Sequence, residues 1–216
     1  MSMVKFEHIP IKENGEKLVL LTGADFVLEP AYFNQGLSED SNLYTRESIV
    51  VKLNDIGHRL DGYRFKIWDT WRSRKVQNNI YQKFWEDMST VNPEWDEEKL
   101  RVEVGRFATI ADDPNRIPPH STGGSIDLTL IDINGQEVDM GTGFDHLGPE
   151  ASKLYFEEEG RNLLIRDNRR LLREVMESAG FRSDEDEWWH FDYGNQLWAA
   201  ELGCDVAIYG EKVSTP

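Results

Sequence analysis

Two short segments hold the residues best suited to chemistry. One is Pro118-Pro119-His120-Ser121-Thr122-Gly123-Gly124-Ser125-Ile126-Asp127, the other Glu187-Trp188-Trp189-His190. Together they offer two imidazoles and a carboxylate, with a second carboxylate three residues ahead of the last histidine. That inventory suits a catalytic zinc site: three protein ligands, an open position for water, and a general base beside it. Zinc lowers the pKa of bound water to about 7, which produces hydroxide at neutral pH without a covalent nucleophile.

The spacing makes demands on the backbone. His120 precedes Asp127 by seven residues, and an uninterrupted strand would send them to opposite faces. Gly123-Gly124 lies between them, so the chain can turn and let both side chains converge. Taken alone, the pair reads as a surface loop histidine and a strand-end carboxylate, since two residues do not make a metal site. Glu187 and His190 pose the same problem. The run Trp-Trp-His-Phe favours a strand for His190, which puts Glu187 at the bend where an acidic turn meets it. Asp184, Glu185 and Asp186 read as a solvated charge run, whereas Glu187 abuts an aromatic, water-poor stretch.

The elements that must position these groups follow from periodicity. Residues 1–40 look irregular, with a short strand candidate at Lys17–Leu21. Arg46–Leu60 places Ile49, Val50, Leu53, Ile56 and Leu60 at helical spacing. Tyr63–Trp68 alternates as a strand, and Ser73–Met88 reads as a helix with Ser73 a possible N-cap. Asn92-Pro93-Glu94 opens a charged helical stretch to about Ala108. Asp112–Pro119 is a loop. Ser125–Ile133 is a strand candidate, with Asn134-Gly135 as a hairpin turn before Gln136–Met140, and Gly141–Pro149 is a loop. A helix over Arg161–Ala179 ends at Gly180, and Trp188–Tyr193 is a strand. Helices interspersed with hairpin-linked strands point to an α+β fold. No repeat or linker divides the 216 residues, so one domain is expected.

Composition narrows the function. The net charge of −16 and the absence of a basic stripe argue against nucleic acid. The local group Arg166–Arg173 reads as the solvated face of a helix. No run of about 18 apolar residues is present, so no membrane helix is expected. The N-terminus lacks the pattern of a signal peptide, which favours a cytoplasmic location. The single Cys204 excludes an internal disulfide and a multi-cysteine zinc finger; it reads as a buried or idle thiol.

In combination, the two segments resemble the D-alanyl-D-alanine dipeptidases of vancomycin resistance. These belong to the zinc D-Ala-D-Ala peptidases that share a fold with hedgehog domains. That family carries Ser-x-His-x-x-Gly-x-Ala-x-Asp and Glu-x-Trp-His, matched here by His120, Gly123 and Asp127, then by Glu187, Trp189 and His190. Ile126–Leu130, Met140–Asp145 and Asn168–Phe181 extend the likeness, which spans roughly Tyr63 to Trp198. The resemblance implies a central, mainly antiparallel sheet packed by helices and one zinc ion per chain. Its ligands would be His120, Asp127 and His190, with Glu187 the general base. Asp69-Thr70-Trp71-Arg72 is similar to the family's Asp-x-Tyr-Arg setting. By that match Arg72 stabilises the oxyanion; without it, Arg72 reads equally as a surface cation.

Asp145 is a candidate to pair with a dipeptide's ammonium group, and His146 is an alternative ligand. His8 and His58 lie outside any ligand spacing. Two departures stand out. The family's serine two positions before the histidine is Pro118, and its alanine is Ser125. The loss of a hydroxyl at Pro118 predicts a broader or shifted dipeptide preference. A cell-wall carboxypeptidase or endopeptidase on the same fold and a non-catalytic metal-binding module are the alternatives; metal binding alone requires neither Glu187 nor Arg72.

Overall fold

The structure, a computed structural model, describes residues 6–23, 26–111, 113 and 116–215. The expectations for residues 1–5, and for Asp112, Pro114 and Asn115 of the loop before the first motif, lie outside the described residues. In chain order the elements are β1 (Leu18–Leu20), β2 (Val27–Leu28), α1 (Ala31–Asn34), β3 (Tyr44–Arg46), α2 (Glu47–Gly57), β4 (Tyr63–Asp69), α3 (Arg74–Val91), α4 (Glu97–Phe107), β5 (Ser125–Asp132), α5 (Leu163–Ser178), β6 (Arg182–Ser183), β7 (His190–Asp192) and α6 (Gln196–Glu201).

Five strands form the central sheet in the order β2-β4-β5-β7-β6, and β1 pairs separately with β3. Only the β2–β4 pairing is parallel; the other three are antiparallel. The fold is therefore α+β with a mainly antiparallel sheet, as the sequence implied.

Strand β5 is buried from Ser125 to Ile131 and divides its labour by face. Ile126, Leu128 and Leu130 share a core with Ile49, Leu53 and Ile56 of α2 and with Leu172 and Met176 of α5. Period-two alternation sends Ser125, Asp127 and Thr129 to the opposite face. A second apolar cluster joins α3 and α4 through Ile80, Phe84, Leu100 and Val104.

Capping explains several boundaries. Ser73 accepts from Val76 N–H and starts α3, while Asn162 accepts from Leu164 N–H and starts α5. α4 begins later than the sequence indicated, because Asp96 caps it by accepting from Lys99 N–H. Asn134-Gly135 does turn the chain, with Gly135 at φ 80°. The return arm is not a full strand: it makes one isolated bridge, Ile131 to Glu137. The strand read from Trp188 is assigned only from His190, because Trp188 and Trp189 form a turn closed by His190 N–H donating to Glu187 O at 3.2 Å.

Candidate active site

Three strands set three polar residues side by side. Asp127 on β5 faces His190 on β7, and Asp69 on β4 faces Asp127 on its other flank. The second pairing depends on a bulge: the register shifts between Ile67 and Asp69, so Asp69 meets Asp127 instead of Ile126. Directly opposed residues share a face, so the extra residue, Trp68, swings Asp69 onto the polar side. Bulges commonly re-aim a side chain in this way.

His120 reaches the same place from a 3-10 turn, Pro119–Thr122. Gly123 ends that turn in the left-handed region at φ 71°, where a side chain is strained. A Cβ there would also fall 2.4 Å from Leu18 Cδ2. Arg46, fully buried, pins the turn by donating from Nε to Thr122 O at 2.6 Å. The glycine pair thus solves the seven-residue spacing problem.

His120, Asp127 and His190 converge with all three donor atoms within 4.8 Å of one another, and all three residues are buried. His120 Nε2 lies 3.1 Å from His190 Nδ1 and 3.4 Å from Asp127 Oδ2; His190 Nδ1 lies 3.0 Å from Asp127 Oδ1. The outer nitrogens are committed. His120 Nδ1 donates to Thr70 O at 2.5 Å and lies 3.0 Å from Asp69 Oδ2, and His190 Nε2 donates to Asp192 Oδ1 at 3.1 Å. A carbonyl and a carboxylate only accept, so each outer nitrogen carries the proton of the neutral ring. Two lone pairs then face each other across the site, which calls for a cation between them.

Ligands about 2.0–2.1 Å from a tetrahedral ion stand about 3.3–3.4 Å apart, close to the distances found. Two imidazoles and a carboxylate therefore fit zinc in chemistry and in spacing. Burial works to lower the His190 imidazolium, but Asp192 and Asp127 override it and hold it well above its ordinary value, so a proton occupies Nδ1 until a metal cation displaces it. Burial likewise pushes Asp127 up, yet His120 and His190 bring its carboxyl far below the usual range.

Glu187 Oε2 stands 3.8 Å from His190 Nδ1. Burial, with Asp127, Asp184 and Asp145 nearby, pushes its carboxyl well up despite His190; a dication at the triad would act in the opposite direction. The three acidic residues before it are not freely solvated. Asp184 pairs with Arg182 at 2.8 Å, Glu185 with Lys153 at 2.7 Å, and Asp186 with Arg106 of α4. Three cations from separate elements thus hold the segment that presents Glu187.

Arg72 is buried, with Nε 3.3 Å from Asp69 Oδ2 and its guanidinium 5.1 Å from the Tyr32 ring centre. Its Nε makes no hydrogen bond. Burial disfavours its charge, but Tyr32, Asp69, Asp127 and Asp145 together hold it firmly protonated. Arg72, His120, Glu187 and His190 share the wall of a cleft of about 310 Å³.

Asp145 is not in that wall. It sits at φ 59°, a strained conformation for a residue with a side chain. It accepts from Tyr32 Oη–H at 3.0 Å on Oδ1, while its buried Oδ2 has no hydrogen bond. Burial, then Asp127, pushes it up to about 7 against Arg72 and Tyr32. Its loop is held by Arg169, which donates to the carbonyls of Met140, Ser152 and Glu150 at 2.7–2.9 Å. Arg169 is therefore buried and structural, contrary to the solvated face read for Arg166–Arg173.

His146 is exposed and pairs with Glu150 at 3.1 Å, apart from the triad. Sequence reasoning missed Asp192, which accepts from Ser125, Asn195 and His190 and pairs with Arg182. The signal was present: Asp192 follows His190 by two positions on a strand, hence on the same face. Nothing local pointed to Tyr32.

Comparisons with known proteins place the chain in one family. Peptidase family M15, described as D-ala-D-ala dipeptidase, matches residues 42–207, a wider span than the motifs suggested. A D-alanyl-D-alanine dipeptidase of Synechocystis sp. is 30% identical over 220 residues, covering 88% of this chain and 87% of that protein. One of Escherichia coli is 31% identical over 160 residues, covering 72% of this chain and 70% of that protein. Among solved structures, VanYB in complex with D-Alanine-D-Alanine superposes with a TM-score of 0.50 at 13% identity, over 90% of this chain and 88% of that one. That last likeness concerns the fold alone.

Proposed function

The chain belongs to the D-ala-D-ala dipeptidase family, and from that premise we propose that it hydrolyses free dipeptides, D-Ala-D-Ala first among them, with a zinc ion held by His120, Asp127 and His190. The observation that carries the reading is the convergence of three donor atoms, with both outer imidazole nitrogens already committed. Zinc in such a site supplies a Lewis acid that polarises a carbonyl and acidifies water near neutral pH.

The protein's own groups do the rest. Glu187 takes the proton of the attacking water and passes it to the leaving amine, a role that fits its place 3.8 Å from His190 Nδ1. Arg72 donates to the carbonyl oxygen as negative charge develops there. A buried guanidinium already oriented by its ion pair with Asp69 needs little reorganisation for that task. Asp145 receives the substrate's ammonium through its unpaired Oδ2, and the arriving positive charge favours the carboxylate. The named activity of the relatives supports the substrate class.

The same proposal treats the chain as one domain acting in the cytoplasm. Its central sheet draws strands from residues 27 to 192, and no described helix is long and apolar enough to cross a membrane.

The test is a substrate panel with metal analysis. D-Ala-D-Ala should turn over, while its N-acetyl derivative and D-Ala-D-Ala-D-Ala should not. Glu187→Gln should keep about one zinc per chain and lower kcat at least about a hundredfold. Turnover of the acetylated or longer peptides would favour a carboxypeptidase or endopeptidase. Zinc-loaded protein inactive on every member would leave a metal-binding module.

A further inference from the structure

The cleft that opens on the triad contains a cation with no part in the scheme above. Arg116 lies in its wall, four residues before His120, beside Phe6 and Pro119. The other arginines of that wall are engaged. Arg106 holds Asp186 and Glu103; Arg182 holds Asp184, Asp192 and Glu201; Arg72 faces Asp69.

Arg116 is held more loosely. Its guanidinium stands 4.9 Å from the Phe6 ring centre, and its buried Nε makes no hydrogen bond. The carboxylate of Glu7 is 3.7 Å from that Nε, beyond hydrogen-bond reach. The backbone beneath it is fixed. Arg74 of α3 donates to the carbonyls of Ala111, Asp113 and Arg116, and Arg116 N–H donates to Asp113 O at 3.2 Å.

A dipeptide bound with its scissile carbonyl at the triad carries its carboxylate about one residue, ~3.8 Å, further on. That anion needs donors close by on the same cleft. Among the described residues of the adjoining chain there are few: Pro118 and Pro119 have no N–H, and Pro118 replaces the serine hydroxyl of the family motif.

We propose that Arg116 binds the C-terminal carboxylate of the substrate and so makes a free carboxylate a condition of recognition. The inference rests on the dipeptidase reading for the position of the scissile bond. A planar fork of N–H donors suits a carboxylate. A peptide extended or amidated at that end would leave the guanidinium without its partner.

The experiment compares D-Ala-D-Ala with D-Ala-D-Ala amide in two ways. In zinc-loaded wild-type protein, kcat/KM should favour the free carboxylate by about tenfold to a hundredfold, the range of one charge-assisted hydrogen-bonded contact. Arg116→Gln should erase most of that preference through KM, with kcat and zinc content little changed; Arg116→Lys should retain part of it. Calorimetric titration in a Glu187→Gln background, with and without Arg116→Gln, reads the same preference without turnover. A carboxylate preference that survives Arg116→Gln in binding overturns the assignment, as does the absence of any preference with Arg116 intact. Zinc-loaded wild-type protein that cleaves no dipeptide would instead overturn the parent reading, and the binding arm would still decide the role of Arg116.

Discussion

Asp192 orients His190 from the side away from the triad. It is fully buried, accepts from His190 Nε2, and is itself fixed by Ser125, Asn195 and Arg182. Burial alone would raise its carboxyl; His190 and Arg182 bring it far below the usual range, so it stays charged and keeps the imidazole oriented. Partners of this kind contribute about ten- to a hundredfold in metal affinity. Asp192→Asn should therefore weaken zinc by that factor in a chelator competition, with the fold retained; unchanged affinity would remove Asp192 from the site. The triad and Glu187 were picked out by two motifs, each ambiguous alone, that occur together, and Arg72 by the resemblance of Asp69-Thr70-Trp71-Arg72; the structure brings these residues to one place. Asp192 was overlooked although its two-residue spacing from His190 marks it, whereas Tyr32 and Arg116 were not legible because their surroundings come from far away in the chain. Tyr32 meets Asp145 across 113 positions.

The elements divide in the same way. α2, α3 and α5 were readable because each is long enough to show a 3.6-residue period, and the caps of α3 and α5 were in place. β2, β3 and α1 are two to four residues long. Such pieces have no periodicity of their own and exist because a neighbour supplies the pairing. The arginine group of α5 misled for a related reason: charge suggests solvent, but Arg169 finds three loop carbonyls to satisfy it. Burial pushes Arg169 down to about 10, against Asp139, which leaves it charged at neutral pH. Arg169→Ala would strand those carbonyls and free the loop that carries Asp145. We expect a loss of at least about 3 kcal/mol in urea unfolding, together with a raised KM for dipeptide. Wild-type stability in this variant would mean the loop holds itself.

At the scale of the whole molecule, the chain ends are tied to the site through one buried cation. Arg46 pairs with Glu13 at 2.8 Å, donates to Gly210 O at 2.9 Å, and grips the turn that carries His120. Burial works to raise Glu13, but Arg46 and Gly210 N–H bring it from 4.5 down to about 2. A depressed folded pKa stabilises above the unfolded value and loses that contribution as pH falls through the folded one. Glu13→Gln should thus have a lower Tm than wild type at pH 6, and the gap should close as pH drops from about 4.5 toward 2. A gap independent of pH would assign the loss to packing alone. The pairing of Asp127 with His190 across β5 and β7 has a consequence of another kind. Between the two strands, exposed turns such as Asn134-Gly135 can grow or shrink at little cost, since loop closure depends only weakly on length, whereas α5 and the loop held by Arg169 are packed in place. One residue added inside β7 would turn His190 toward the apolar face. The rims that choose a substrate are therefore open to evolutionary change, while the phase of three short strands is closed to it, and descendants of this chain can alter what they cleave without rebuilding how they cleave it.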